Sequence, residues 1–155
     1  MWLGEDTKSV DAKGRVLVPK AFQDGLAGPQ GQPASCIVTR GFEQCIALYS
    51  PRGFQDAVQR FRTQAFVGPE ARVMQRLLFS YSHPLQLDSA GRILLPEKLR
   101  TFAGLDKQAV FVGLVDRLEL WDPKAWEQFD SEHGSQFDRL DQVLLGGSEE
   151  PPAEA

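Results

Sequence analysis

Cysteine, histidine and long apolar runs are all scarce in this chain. Two cysteines, Cys36 and Cys45, in 155 residues make no disulfide framework, and their spacing matches no metal-binding pattern. The two histidines, His83 and His133, have no serine, cysteine or acid set beside them by motif, so no catalytic constellation is legible and no enzyme is expected. The longest apolar stretches, such as residues 110–115, fall far short of the ~20 residues a bilayer helix needs. The opening MWLGEDTKSV carries Glu5 and Asp6 and no apolar core, which argues against a signal peptide and for a cytosolic protein. Asp-Ala-Lys-Gly lacks the acids of a calcium loop and Gly-Arg-Val-Leu is no phosphate loop, so no cofactor is expected.

A basic excess is missing too, at least on average. The net charge is −4, with 42% apolar and 25% charged residues, ordinary for a globular chain that forms one domain or two small ones. The average conceals a gradient. Residues 116–155 hold eleven acids and three bases, whereas residues 1–115 hold fourteen bases and ten acids. The last ten residues, GGSEEPPAEA, are rich in Gly, Pro and Glu and read as a disordered acidic tail, residues 146–155. An acidic total can therefore hide a basic working face.

What the chain does have is a phrase used twice. VDAKGRVLVP occupies residues 10–19 and LDSAGRILLP residues 87–96. A shift of 77 carries Asp11, Gly14, Arg15 and Pro19 onto Asp88, Gly91, Arg92 and Pro96. Further on, LYSPRGF (48–54) falls on LWDPKAW (120–126) with a shift of 72, the difference being a longer Gly/Pro-rich loop, GPQGQPA, in the first copy. The chain is a tandem duplication, with repeats over residues 1–78 and 79–145.

Each repeat carries the same local signals. Residues 7–10 and 16–18 read as short strands flanking a type I turn whose glycine takes positive φ. Pro19 stops the ladder, and PKAFQDGL reads as a short helix ended by Gly25. CIVTR and CIALY read as strands about a turn at 41–44. Cys36 and Cys45 bracket that hairpin, could face each other, and are expected to be reduced. Ser50-Pro51 and Asp122-Pro123 are helix starts, followed at helical spacing by Phe54, Val58 and Phe61 and by Trp126 and Phe129. PEARVMQRLLF and SQFDRLDQVLLG would supply a second helix in each copy. The aromatics Phe54, Phe61, Trp121 and Trp126 read as core; Trp2, Phe22 and Leu26 could belong to the core or to an interface, with core the better reading for each. The order is hairpin, short helix, hairpin, helix pair. The fold class is α+β, with the two repeats packed into one pseudo-symmetric β-barrel with peripheral helices, because one hairpin cannot bury its own apolar face.

An isolated D-x-x-G-R is first of all turn chemistry with a surface ion pair. Two copies in the same structural place allow more: Arg15 and Arg92, each with Asp11 or Asp88 across its turn, could present guanidiniums to phosphates or guanine edges. Lys8, Lys13 and Lys20 cluster around the first copy, as backbone neutralisation requires. With the opening MWLG and the stretch GLVDRLELWDPKAW, the doubled phrase resembles the swapped-hairpin motif of AbrB-like DNA-binding proteins, and the chain is similar to the MraZ family of bacterial regulators over nearly all but its tail.

That resemblance implies a sequence-specific, cytoplasmic and nucleoid-associated transcriptional regulator, a repressor of the division and cell-wall gene cluster that includes its own gene. It implies double-stranded DNA with repeated promoter boxes as the partner, and a homo-oligomeric ring. Carried onto this sequence, the DNA-facing residues are Asp11, Lys13 and Arg15, then Asp88 and Arg92. The second copy has Ala90 in place of Lys13, and Pro84-Leu85 in place of Thr7-Lys8, so the first motif is expected to dominate. The alternative is an antitoxin-like protein-interaction module on the same fold, which an apolar tail would favour and an acidic Pro-rich tail does not.

Overall fold

A computed structural model describes residues 1–65 and 68–145; the expected acidic tail lies outside the described residues. The chain divides into two compact units, Met1–Pro123 and Lys124–Ala155.

The first unit contains both copies of the phrase. Its elements run β1 (Trp2–Ser9), β2 (Arg15–Leu17), α1 (Lys20–Gln23) with a 3-10 turn (Asp24–Leu26), β3 (Ser35–Arg40), β4 (Ile46–Tyr49), α2 (Pro51–Ala65) and α3 (Pro69–Ser80). The second copy follows with β5 (His83–Gln86), β6 (Arg92–Leu94), α4 (Glu97–Ala103), β7 (Gln108–Val115) and β8 (Leu118–Trp121). The class is α+β, built on a large antiparallel sheet.

The sheet order is β1-β7-β8-β4-β3-β5, and β2 and β6 form a separate two-stranded ribbon. Exchanging the copies turns this order into its own reverse, so the sheet carries a pseudo-twofold between β4 and β8. The end strands are swapped: β1 pairs along all eight residues with β7, and β5 pairs with β3. The hydrogen-bonded order begins at β1 and ends at β5.

The hairpin expected at the start of each repeat is therefore not a hairpin. Between its arms the first copy keeps one bridge, Val10 to Val16, and then they part. Each arm finds a longer or better covered partner in the other copy. β1 extends back to Trp2 because β7 offers eight residues to pair with. β2 pairs with β6 because Val16 and Ile93, opposite each other, both point into the core at 1% and 0% exposure.

The core is one cluster drawn from both copies, including Val18, Leu95, Leu99, Phe111, Leu118 and Leu120, with Ile46 and Leu48 from β4. Burial of a side chain such as Phe111 is worth roughly 1.5–3 kcal/mol. Trp2, Phe22, Leu26 and Trp121 are core residues, as read from sequence, and the Trp2 indole N–H donates to the Phe22 carbonyl at 3.1 Å. Phe54 is only half-buried, and Phe61 is 40% exposed and lines a groove between α2 and α3 instead. Gly25 does not end α1: the chain tightens into the 3-10 turn, and the glycine is there because the Trp2 ring lies on it, 2.8 Å from where a Cβ would stand. Ser50 caps α2 through its hydroxyl, which accepts from Gly53 N–H at 3.0 Å, and α3 starts at Pro69. The two cysteines do not face each other. Cys45 sits opposite Gly41, whereas Cys36 is near the other end of β3, about 16 Å along the strand.

The second unit begins within α5 (Pro123–His133), on which Trp126 stacks on Phe129 at 5.8 Å and Phe129 meets His133 at 4.6 Å. Trp126 is half-buried rather than core. The second helix expected here splits into a 3-10 stretch (Gly134–Arg139) and the five-residue α6 (Leu140–Leu144). Its apolar residues stay exposed, Phe137 at 71% and Val143 at 76%, and a helix with no face to bury does not propagate.

Candidate nucleic-acid interface

The two phrases build the same turn twice. In the first, Asp11 Oδ1 accepts from the Lys13 and Arg15 amides, both at 2.9 Å, and Oδ2 accepts from Arg15 Nε at 2.8 Å. The Asp11 carbonyl accepts from Gly14 N–H at 2.9 Å and Gly14 takes φ +87°, which explains a glycine at this position. In the second, Asp88 Oδ1 accepts from Ala90 and Arg92 amides at 2.9 Å, Oδ2 from Arg92 Nε at 2.9 Å, and Gly91 has φ +84°. The aspartate thus does two jobs. It stands in for a backbone carbonyl in the turn, and it fixes its arginine through Nε.

Electrostatics follow the geometry. Donation from the Arg15 amide, the largest influence, outweighs desolvation and, helped by the Arg15 side chain and the Lys13 amide, holds the Asp11 carboxyl below the usual value. Asp88 is lowered in the same way, first by the Arg92 amide. Both stay ionised at neutral pH and keep their arginines oriented.

The ribbon then joins the two turns. Arg15 pairs with Leu94, Val16 with Ile93 and Leu17 with Arg92. Since opposed residues share a face, Arg15, Leu17, Arg92 and Leu94 form the outer face and Val16 and Ile93 the inner. The copies are cross-tied by Val18 N–H to the Gly91 carbonyl and Leu95 N–H to the Gly14 carbonyl, each 3.0 Å.

The lysines are less concentrated than their numbering implies. Lys13 is exposed in the first turn itself. Lys20 is exposed as the first residue of α1. Lys8 belongs to β1, opposite Ala109, with its Nζ 3.3 Å from Asp6 Oδ2.

Sequence reasoning missed two residues at this site. Arg100 on α4 lies over Gly14, and a Cβ there would be 2.6 Å from the Arg100 Cζ. Gln23 on α1 lies over Gly91 in the same way, 2.9 Å from its Cδ. Each is anchored to its own copy: Gln23 Nε2 donates to the Val18 carbonyl at 2.7 Å and Arg100 Nε to the Leu95 carbonyl at 3.2 Å. The same shift of 77 that aligns the phrases also takes Gln23 to Arg100, which is the signal that could have found them.

The family model described as MraZ protein, antitoxin-like, matches this chain twice, over residues 1–77 and 78–145. The chain belongs to the MraZ family. Among curated MraZ proteins, each named a transcriptional regulator, that of Desulforamulus reducens is 34% identical over 94% of this chain and 98% of its own length. The MraZ of Salinispora tropica is 33% identical over 95% and 99%, and that of Alkalilimnicola ehrlichii 40% identical over 83% and 85%. MraZ membership gives the chain a regulatory rather than a catalytic role. No group of three or more His, Cys, Asp or Glu side chains that could hold a metal ion occurs among the described residues. Likewise, no described helix is long and apolar enough to cross a membrane.

Proposed function

We propose that this MraZ-family chain regulates transcription by binding double-stranded DNA with the outer face of the β2–β6 ribbon and its two turns. One observation carries the reading: two guanidiniums, each clamped through Nε by its own aspartate, stand diagonally on one face of the ribbon. A two-stranded ribbon fits the major groove, and an arginine edge is the commonest reader of guanine O6 and N7, worth ~1–3 kcal/mol of discrimination. In this reading Arg15 and Arg92 contact bases or phosphates, Asp11 and Asp88 position them, and Lys13 with Lys20 neutralises backbone charge. Lys8, tied to Asp6, contributes least.

The target is the division and cell-wall gene cluster that includes its own gene, where the protein acts as a repressor in the nucleoid. One ribbon on an acidic chain binds weakly, so several subunits meeting repeated promoter boxes supply the affinity. The simplest closed assembly for a head-to-tail interface is a ring. Within a subunit the two repeats pack as one pseudo-symmetric, barrel-like body around the ribbon.

The test is binding of the full chain to the duplex upstream of its own gene, against a scrambled duplex, over a salt series. Specific binding that weakens steeply with salt and falls ~10- to 100-fold in Arg15→Ala supports the reading. Binding with no preference and no dependence on Arg15 refutes it. A second reading, an antitoxin-like protein-interaction module, draws on the exposed Phe137, Val143 and Leu144. It predicts salt-insensitive association with a protein in place of DNA.

A further inference from the structure

The ribbon is pseudo-symmetric in its backbone but not in its charge. The first turn holds Lys13 and Arg15 and is overlaid by Arg100, against one acid, Asp11. The second turn holds Arg92 against Asp88, with Ala90 in place of the lysine, and is overlaid by the neutral Gln23. The swap is what makes this possible: the residue lying over each turn comes from the other repeat.

Gln23 shows what structure alone requires at this position. It covers Gly91, donates to the Val18 carbonyl, and does both with an uncharged amide. Arg100 covers Gly14 and donates to the Leu95 carbonyl with one nitrogen, Nε, of a group that has five donor hydrogens and a full charge. The packing role does not need that charge. It is also only half-buried, so it remains open to a ligand. A cation next to Lys13 and Arg15 on one rim of the ribbon suits a phosphate of the strand whose bases Arg15 reads.

We infer that Arg100, delivered from the second repeat, is a phosphate-binding residue of the first turn, so that the two turns hold DNA unequally and the chain binds with a fixed polarity. The inference rests on the ribbon being the DNA surface. It extends the site to a residue outside the repeated phrase.

The experiment exchanges the two overlying residues in the full chain. Arg100→Gln installs the side chain that already serves the equivalent place, and thermal melting checks that the fold is kept. Binding is measured to the upstream and scrambled duplexes from low to physiological salt. Arg100→Gln is expected to weaken both duplexes alike, about fivefold near 0.15 M salt, and to reduce the slope of log K against log salt by about 0.9 per subunit engaged. Arg100→Lys, which keeps the charge without the Nε anchor, is expected to keep most of the slope, and Gln23→Arg to steepen it. A wild-type slope in Arg100→Gln overturns the inference. Equal losses in Arg100→Gln and Arg100→Lys also overturn it, since a packing role would then suffice. If Arg15→Ala abolishes binding while Arg100→Gln leaves it intact, the ribbon reading survives and this inference alone falls. If the wild-type chain shows no salt-sensitive binding, both fall.

Discussion

Alanine at position 14 meets two separate penalties, and the protein contains its own control for one of them. Gly14 has φ +87°, a region that costs a non-glycine residue about 1–2 kcal/mol, offset by about 0.4–1 kcal/mol from the stiffer unfolded chain. In addition, the new Cβ would stand 2.6 Å from Arg100 Cζ and Nε, so the guanidinium must move and release the Leu95 carbonyl, worth about 0.5–1.5 kcal/mol. Gly104, the residue that ends α4, also has positive φ, +63°, but nothing lies within 4 Å of its Cβ position. Gly14→Ala should therefore cost about 2 kcal/mol and Gly104→Ala about 1 kcal/mol or less. Urea unfolding with a shared m-value reads both as midpoint shifts. Repeating Gly14→Ala in an Arg100→Ala background should remove the excess, as a double-mutant cycle requires of two groups in contact. Equal costs for the two glycines, or an excess that persists without Arg100, would refute the claim that the two repeats interlock through this contact.

Residues 1–78 expressed alone lack β6 and β7, the partners of β2 and β1; light scattering should find an unfolded chain or a reciprocal dimer, and a stable folded monomer would contradict the swap. The lowered Asp11 and Asp88 pKa values stabilise the native state fully above the unfolded carboxylate value of 3.8, and that contribution is lost as pH falls through the lower native values. The melting-temperature gap between wild type and the Asp11→Asn, Asp88→Asn double variant should thus be open at pH 6 and narrow below pH 3.8. Burial pushes the Cys36 thiol up to about 12 and raises Cys45 as well, so a thiol reagent at pH 8 should label neither until the chain unfolds. Trp2→Phe removes the donor to the buried Phe22 carbonyl and should cost roughly 1–3 kcal/mol, measured as a urea midpoint shift with unchanged m-value.

The duplication, the turn chemistry of Asp11-to-Arg15 and the helix starts at Ser50-Pro51 and Pro69 were legible because each is a local signal. The pairing of the arms was not. Residues 3–7 of β1 are exposed without alternation, so nothing in their pattern extends the strand back to Trp2; its length comes from β7, more than a hundred residues away. The same blindness affects Gly25 and Gly14. In sequence each is a turn or stop residue, whereas in the fold each is also a place where another side chain lies flat against the backbone. The failed helix at residues 135–146 is the opposite error. Its residues have helical spacing, but periodicity predicts a helix only where its apolar side is buried, and Phe137, Val143 and Leu144 are exposed.

These particulars bear on why one chain carries the phrase twice. Two identical subunits exchanging arms would yield the same ribbon, but with strict symmetry: any residue introduced over one turn would appear over the other. Joining the copies in one chain keeps the swapped architecture and lifts that restriction. The structural ties have stayed paired, Val18 to Gly91 with Leu95 to Gly14, and Asp11 to Arg15 with Asp88 to Arg92. The differences fall where side chains meet solvent around the turns: Lys13 against Ala90, Arg100 against Gln23. A symmetric ribbon reads its target the same way in either direction. A ribbon with its cations gathered at one turn distinguishes the directions. In the proposed head-to-tail assembly on repeated boxes, such a ribbon would let every subunit take the same orientation.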